Sequence, residues 1–187
     1  MLQIIINGRG GQGAKTMAML LAEAAIGSNK YAIAFPEFGP ERTGAPVKAY
    51  LRIDSDEILT REPIQKPDLL IVLDDTLLNN PAMGELLKSK PDLLINSSRP
   101  AEELQTKINQ IAQYEKKPEI VDAQKIVREA DKKVHFSAPI FARLFKIRNF
   151  LTLEEFTEVY RKKFERKLGK ETVGETIAVM EKAYDQI

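Results

Sequence analysis

The sequence predicts a three-layer α/β/α domain on a mostly parallel sheet, followed by C-terminal amphipathic helices. Three observations lead there. Apolar runs of strand length alternate with segments of helical period from the N-terminus to about residue 147. The first run passes through a glycine-rich turn straight into a helix, as in a βα unit. Beyond residue 150 the strand-like runs stop and two amphipathic stretches follow. On this reading residues 1–150 are the α/β core and 151–187 a helical extension of the same domain.

Residues 2–6 (LQIII) are a continuous apolar run ending at a turn, which predicts a short buried strand. A helix follows over 14–27, with Met17, Leu20, Leu21, Ala24 and Ala25 on one stripe and only Lys15 and Glu23 as charges. So apolar a helix is expected to pack tightly, against the sheet or against another chain. Residues 31–35 (YAIAF) predict a second strand stopped by Pro36, and 47–53 (VKAYLRI) a third. The run LLIVL at 69–73 predicts a fully buried strand with Asp74 and Asp75 at its C-terminal end. A short helix over 81–89, strands at 92–96 and 119–122, and a helix over 101–114 with Leu104, Ile108 and Ile111 inward complete the alternation. Short helices are expected at 123–131 and 137–147. Thr152 with Glu155, and Thr172 with Glu175, have the spacing of capping boxes. The stripes Leu153, Phe156, Tyr160, Phe164 and Val173, Ile177, Met180, Tyr184 then predict two helices separated at Gly169.

Composition narrows the chemistry. A formal net charge of +1 gives no electrostatic case for nucleic acid or an acidic membrane surface. No stretch reaches the roughly 18 apolar residues of a membrane span. The N-terminal MLQIIINGRGGQG lacks the pattern of a secretory signal, so a cytoplasmic location is expected. The chain contains no cysteine, hence no thiolate for an iron–sulfur cluster, no disulfide and no thiol nucleophile. Its single histidine, His135, rules out multi-histidine metal sites and is expected to be structural or solvated. Asp74 and Asp75 could ligate Mg²⁺ but are expected to cap the following turn. The basic run Arg161-Lys162-Lys163 is read as the solvated face of a helix.

Gly8-Arg9-Gly10-Gly11-Gln12-Gly13 fits G-x-G-x-x-G between a strand and a helix. Glycines there permit a tight turn and close backbone approach, and the free N–H groups of the helix start favour an anion. Arg9 and Lys15 add positive charge. A dinucleotide site also wants an acid about 20 residues on, and Glu37, beyond Pro36, is poorly placed for it. The residues leave two readings open: a nucleotide or cofactor site, or a tight turn packed against another chain.

The stretches GRGGQGAKTMAMLLAEAA and KYAIAFPEFGPERTGAPVKAYLRID are more specific than the motif. They resemble the gamma subunit of pyruvate:ferredoxin oxidoreductase and its relatives acting on branched-chain 2-oxoacids. The resemblance continues through KPDLLIVLDDTLL, LLINSSRP and EIVDAQKI, and weakens beyond about residue 130. Where the family often carries an Asn-Thr-x-Met-Leu-Gly-type segment, this chain has Ser137-Ala138-Pro139-Ile140-Phe141-Ala142. The resemblance implies an enzyme complex that oxidatively decarboxylates a 2-oxoacid on thiamine diphosphate and transfers the acyl group to coenzyme A. Electrons would pass through [4Fe–4S] clusters to ferredoxin. Thiamine diphosphate, Mg²⁺ and the clusters are expected on partner subunits, and this chain is expected to be inactive alone. Its own share would be a coenzyme A contact, made by Gly8, Arg9, Gly10, Gly11, Gln12, Gly13 and Lys15 together with the loop residues Glu41, Arg42, Thr43 and Gly44. Arg42 offers a bidentate fork for a phosphate or carboxylate; the bland reading pairs it with Glu41 or Glu37. No catalytic or metal-holding residue is expected. Isolated, the chain could cover its apolar surface as a homodimer. The alternatives are a stand-alone nucleotide- or NAD(P)-binding module of Rossmann-like type and an indolepyruvate-type oxidoreductase subunit.

Overall fold

A computed structural model describes residues 1–37, 44–130 and 134–186. Six strands form one sheet: β1 (Leu2–Arg9), β2 (Tyr31–Pro36), β3 (Pro46–Asp54), β4 (Leu69–Val72), β5 (Asp92–Asn96) and β6 (Glu119–Val121), in the spatial order β2-β3-β1-β4-β5-β6. β1, β4, β5 and β6 pair in parallel. β3 is antiparallel to both β1 and β2, so it alone runs against the others. The sheet is therefore mostly parallel, as the alternation of strands and helices predicts.

The helices among the described residues are α1 (Ala14–Gly27), α2 (Ala82–Leu87), α3 (Ala101–Ile111), α4 (Ala123–Glu129), α5 (Ser137–Ile147), α6 (Leu153–Leu168) and α7 (Lys170–Asp185), with a 3₁₀ turn at Asp75–Asn79. The period-two alternation of strand side chains divides them between two faces. Ile4 and Ile6 of β1, with Leu51, Ile71 and Leu94, join a core completed by α1, α5, α6 and α7. Ile5, with Tyr50, Leu70, Val72 and Ile95, faces the 3₁₀ turn, α2 and α3. Strands buried on both faces explain the unbroken runs LQIII and LLIVL.

The C-terminal helices share the first of these cores. Phe156 is fully buried, with ring centroids 4.3 Å from Phe141 and 5.2 Å from Phe145. Thr152 caps α6 as its spacing predicts: its side chain accepts from Glu155 N at 3.1 Å, and Glu155 accepts from Thr152 N at 2.7 Å.

Several details differ from the sequence reading. β1 continues past Ile6 to Arg9, because β3 supplies partners along its whole length, up to Arg9 against Pro46. The helix expected over 101–114 ends at Ile111, and Tyr114 turns inward to donate to Pro91 O at 2.8 Å. The 3₁₀ turn after β4 carries no sequence period long enough to announce it. Thr172 does not start a helix. Gly169, at φ 87°, makes the whole break, and α7 begins at the next residue. Thr172 therefore lies within the first turn, its carbonyl accepting from Thr176 Oγ1 at 2.8 Å.

Phe156→Ala is expected to destabilise the chain by about 3–5 kcal/mol, the range for emptying a well-packed aromatic site. Thr152→Ala should cost about 1 kcal/mol, the usual value of an N-cap. Denaturant unfolding of the purified chain measures both. A Phe156→Ala loss no larger than that of Thr152→Ala would show that α6 is not anchored through this ring.

Candidate functional site

From β1 the chain runs through α1 to β2 at one edge of the sheet, whereas β4 leads to β5 and β6 at the other. The order thus switches between β1 and β4, and open α/β sheets bind ligands in the crevice beyond the strand ends at such a point. Here that crevice is a cleft of about 720 Å³, whose lining includes Gln12 of the glycine turn, Leu73–Asp75 after β4, Asn96–Ser98 after β5, Asp122 after β6, and Arg128, His135 and Phe136.

Each glycine of the turn has a distinct use. A Cβ on Gly8 would come within 3.0 Å of Leu73 Cδ1, so Gly8 lets β1 lie against the end of β4. Gly11 and Gly13 have φ of 93° and 83°, the left-handed region that favours glycine. Gly13 is the N-cap of α1 and supplies no capping side chain, and the first turn of α1 contains no acid. The positive end of the helix dipole is therefore left for something else to meet. Gly10 is strapped to the start of β3, its N–H donating to Ala45 O at 2.8 Å while its carbonyl accepts from Gly44 N at 3.2 Å. Gly44 thus joins the glycine motif in space. Lys15 is exposed beside the turn. Glu41, Arg42 and Thr43 lie outside the described residues.

Arg9 and the cleft carboxylates all have protein partners. Arg9 donates from Nε to Asp74 at 3.2 Å, from one terminal nitrogen to Gly44 O at 2.9 Å and from the other to Thr76 Oγ1 at 2.6 Å. Gln12 accepts from Arg9 N at 2.7 Å and donates to Asp74 at 3.1 Å. Asp74 also accepts from Thr76 N at 3.0 Å and from the Thr76 hydroxyl. Burial alone would raise its pKa. Hydrogen bonds from Thr76 and Gln12, with the charge of Arg9, outweigh burial and hold the carboxyl below its ordinary value. Asp75 accepts from the Ser97 hydroxyl and pairs with Arg99 at 3.3 Å, and Asp122 caps α4 by accepting from Lys125 N at 2.9 Å. The two aspartates after β4 are turn and ion-pair groups; among the described residues no cluster of three or more metal-ligating side chains occurs.

Two parts of the cleft are not marked as site residues by the sequence. Asn96, buried at the end of β5, donates to Leu73 O at 3.0 Å and accepts from Ala123 N at 3.1 Å, stapling the ends of β4 and β6 together. The signal that could have found it is the pattern shared with β4: a buried run broken abruptly by consecutive polar residues, LLIN-SS as LLIVL-DD. His135 sits on the lip, its Cε1 3.7 Å from where a Gly13 Cβ would be. Ser137 N donates to His135 Nδ1 at 3.2 Å, which requires the lone pair on Nδ1 and selects the neutral ring protonated on Nε2. Desolvation lowers its pKa in the same sense.

The fold also bears on the dinucleotide reading. Glu37 does follow the second strand, but β3 lies between β2 and β1. At about 4.8 Å per strand the acid is displaced by roughly 10 Å from the β1 turn. It instead pairs with Lys48 at 3.4 Å and hydrogen-bonds Tyr50, whose pKa is pushed up to about 12 by burial, with Glu37 adding to it.

The chain is thus an open α/β unit with a crevice at the switch point of its sheet. The sequence matches the pyruvate ferredoxin/flavodoxin oxidoreductase family over residues 3–186. It is 34% identical over 181 residues to the pyruvate synthase subunit PorC of Thermotoga maritima, covering 97% of this chain and 92% of that one. It is 36% identical over 169 residues to the common subunit gamma of the pyruvate/ketoisovalerate oxidoreductases of Pyrococcus furiosus, covering 90% of each. The crystal structure of the pyruvate oxidoreductase subunit PORC from Thermotoga maritima superposes with a TM-score of 0.81 at 32% identity, over 98% of this chain and 95% of that one. The chain belongs to this family, as a gamma-type subunit of a 2-oxoacid:ferredoxin oxidoreductase. The likeness reaches well beyond residue 130, where the sequence resemblance weakens. No helix among the described residues is long and apolar enough to cross a membrane.

Because the Asp74 pKa is depressed in the folded chain, its carboxylate stabilises the fold above the ordinary carboxylate range near 4. That stabilisation is lost as pH falls through the depressed value. Asp74→Asn should therefore melt below the parent at neutral pH, and the gap should close on acidification below about pH 4. Thermal melts of both chains against pH check this; a gap independent of pH would remove Asp74 from the network.

Proposed function

We propose that this subunit contributes a coenzyme A contact to the oxidative decarboxylation of pyruvate or a branched-chain 2-oxoacid, in a cytoplasmic complex. In this reading thiamine diphosphate, Mg²⁺ and the [4Fe–4S] clusters are held by partner subunits and ferredoxin is reached through them. The observation that carries it is the glycine turn opening an uncapped helix at the mouth of the switch-point cleft. Coenzyme A is a polyanion with a long flexible arm. It needs a positive backbone surface for its phosphates and a crevice for the rest, and a helix start beside a cleft supplies both.

The roles fall unevenly over the candidate residues. Gly10, Gly11 and Gly13 keep side chains away from the approaching phosphates. Lys15, exposed on the first turn of α1, adds a point charge. Arg42, in the sequence between β2 and β3, is assigned a phosphate contact, and Glu41, Thr43 and Gly44 are assigned to the same site. Gly8 and Gln12 serve the turn from below. The resemblance of ERTGAP to the pyruvate and branched-chain branch of the family favours that substrate class over 2-oxoglutarate.

Assembly follows from the surface of α1. Its buried side lies between the sheet and α6, yet Met19 is 46% and Ile26 56% exposed on the other side. Neighbouring subunits, or a second copy when the chain is isolated, would cover them.

The purified chain should be colourless and inactive, and should restore 2-oxoacid-dependent reduction of ferredoxin or a viologen dye when mixed with partner subunits. A brown, iron-containing preparation of this chain alone would overturn the assignment of clusters to partners. Tight binding of NAD(P) would favour the nucleotide-module reading instead. In the assembled enzyme, Arg42→Ala and Gly10→Val should each raise the apparent KM for coenzyme A about tenfold or more, the order expected for losing a charged hydrogen bond. Size-exclusion analysis should show intact complex in both. Unchanged kinetics in both variants would leave the turn a purely structural feature.

A further inference from the structure

The arginine of the glycine motif is committed within the protein. All three guanidinium nitrogens of Arg9 donate to protein groups: the Asp74 carboxylate, the Gly44 carbonyl and the Thr76 hydroxyl. Arg9 and Asp74 are both largely covered, with side chains 34% and 21% exposed. Pulling Arg9 onto a ligand phosphate would take the charge partner from a partly buried carboxylate and leave it only its bonds from Gln12 and Thr76, and weakening the partners of such a group is costly.

The site also needs what Arg9 provides. Gly44 has φ 84° and nothing within 4 Å of where a Cβ would be. Among the described residues, Gly44 is held by its N–H donating to Gly10 O and by the Arg9 fork on its carbonyl. The fork is suited to this task, since a planar guanidinium fixes three acceptors in one geometry and an ammonium does not.

We propose that Arg9 is a positioning residue that locks Gly44 and Ala45 onto the glycine turn through Asp74, and that it does not itself contact the ligand. Its kinetic consequence rests on the coenzyme A reading above; its structural half does not.

The two possible roles of Arg9 predict opposite signs for Asp74. If Arg9 bound phosphate against the pull of Asp74, Asp74→Asn would free it and tighten coenzyme A. If Arg9 positions the turn, Asp74→Asn breaks the lock and weakens coenzyme A, as Arg9→Ala does. Because both changes break one lock, the double variant should be no worse than either single one.

The test uses the assembled complex with Arg9→Ala, Arg9→Lys, Asp74→Asn and the double variant. Each should raise the apparent KM for coenzyme A by about tenfold with kcat nearly unchanged, and Arg9→Lys should not rescue. The dependence of KM on salt should match the parent, since no ligand charge contact is lost. A lowered KM in Asp74→Asn, or a flattened salt dependence in Arg9→Ala, would overturn the proposal. Amide exchange of the full chain by NMR reads the lock without any ligand. Gly10 and Gly44 should exchange faster in Arg9→Ala while the middle of α1 is unchanged, and unaltered exchange at Gly10 and Gly44 would overturn the proposal. Faster exchange with an unmoved KM would leave the positioning role standing and sink the coenzyme A reading of the turn.

Discussion

The arrangement around β1 is the constraint on which the site depends. β1 has an antiparallel neighbour, β3, for eight residue pairs and a parallel neighbour, β4, for four. The longer pairing carries β1 past the end of β4. That overhang brings Arg9 above Asp74, forces a glycine at position 8 against Leu73, and meets the start of β3 at Ala45. Chain direction then opens the crevice, because α1 leaves on one face of the sheet while α2 and α3 cover the other.

The cleft looks acidic in sequence and is not acidic in effect. Asp74, Asp75 and Asp122 all line it. Asp74 is neutralised by Arg9, Asp75 by Arg99, and Asp122 accepts a backbone N–H at the start of α4. With arginines beside them, Asp74 and Asp75 order the strand ends and repel an anion at the mouth less than free carboxylates would. The groups left facing the cavity are hydroxyls, amides, the neutral His135 ring and Arg128. Such a lining tolerates an anionic ligand, which three free carboxylates would repel by several kcal/mol in a crevice of low effective dielectric.

What the sequence made legible follows physical range. The buried strands, α1 and the stripes of α6 and α7 came from periodicity, a signal contained within each segment. The glycine turn and the Thr152 cap came from local backbone chemistry. Contacts set by register between distant strands are not legible: the bonds of Gly10 to Ala45 and Gly44 exist because β1 and β3 pair as far as Arg9 and Pro46. Arg9 shows the limit of reading a residue type by itself. Beside a glycine motif an arginine looks like a phosphate ligand, and only the fold supplies Asp74, more than 60 residues away, to hold it. Thr172 fails as a cap for a related reason, since Gly169 alone makes the break and the helix has already begun.

The C-terminal helices bear on the site without touching it. α1 presents the turn at its N-terminus, and its position is fixed along its length. Ile4 and Ile6 of the sheet pack in the same core as α1, and α6 closes over it on the other side, with Lys163 paired to Glu23 and Val159 3.8 Å from where a Cβ on Gly27 would be. A helix is stiff along its axis, so tilting its far end moves its N-terminus. The free N–H groups at Gly13–Thr16 are therefore aimed partly by α6, which is itself anchored by Phe156 against Phe141 and Phe145. A crevice open to solvent on one side cannot fix its own rim. Here the rim is fixed from two sides, through the Asp74 lock on the sheet and through the aromatic cluster beneath α6.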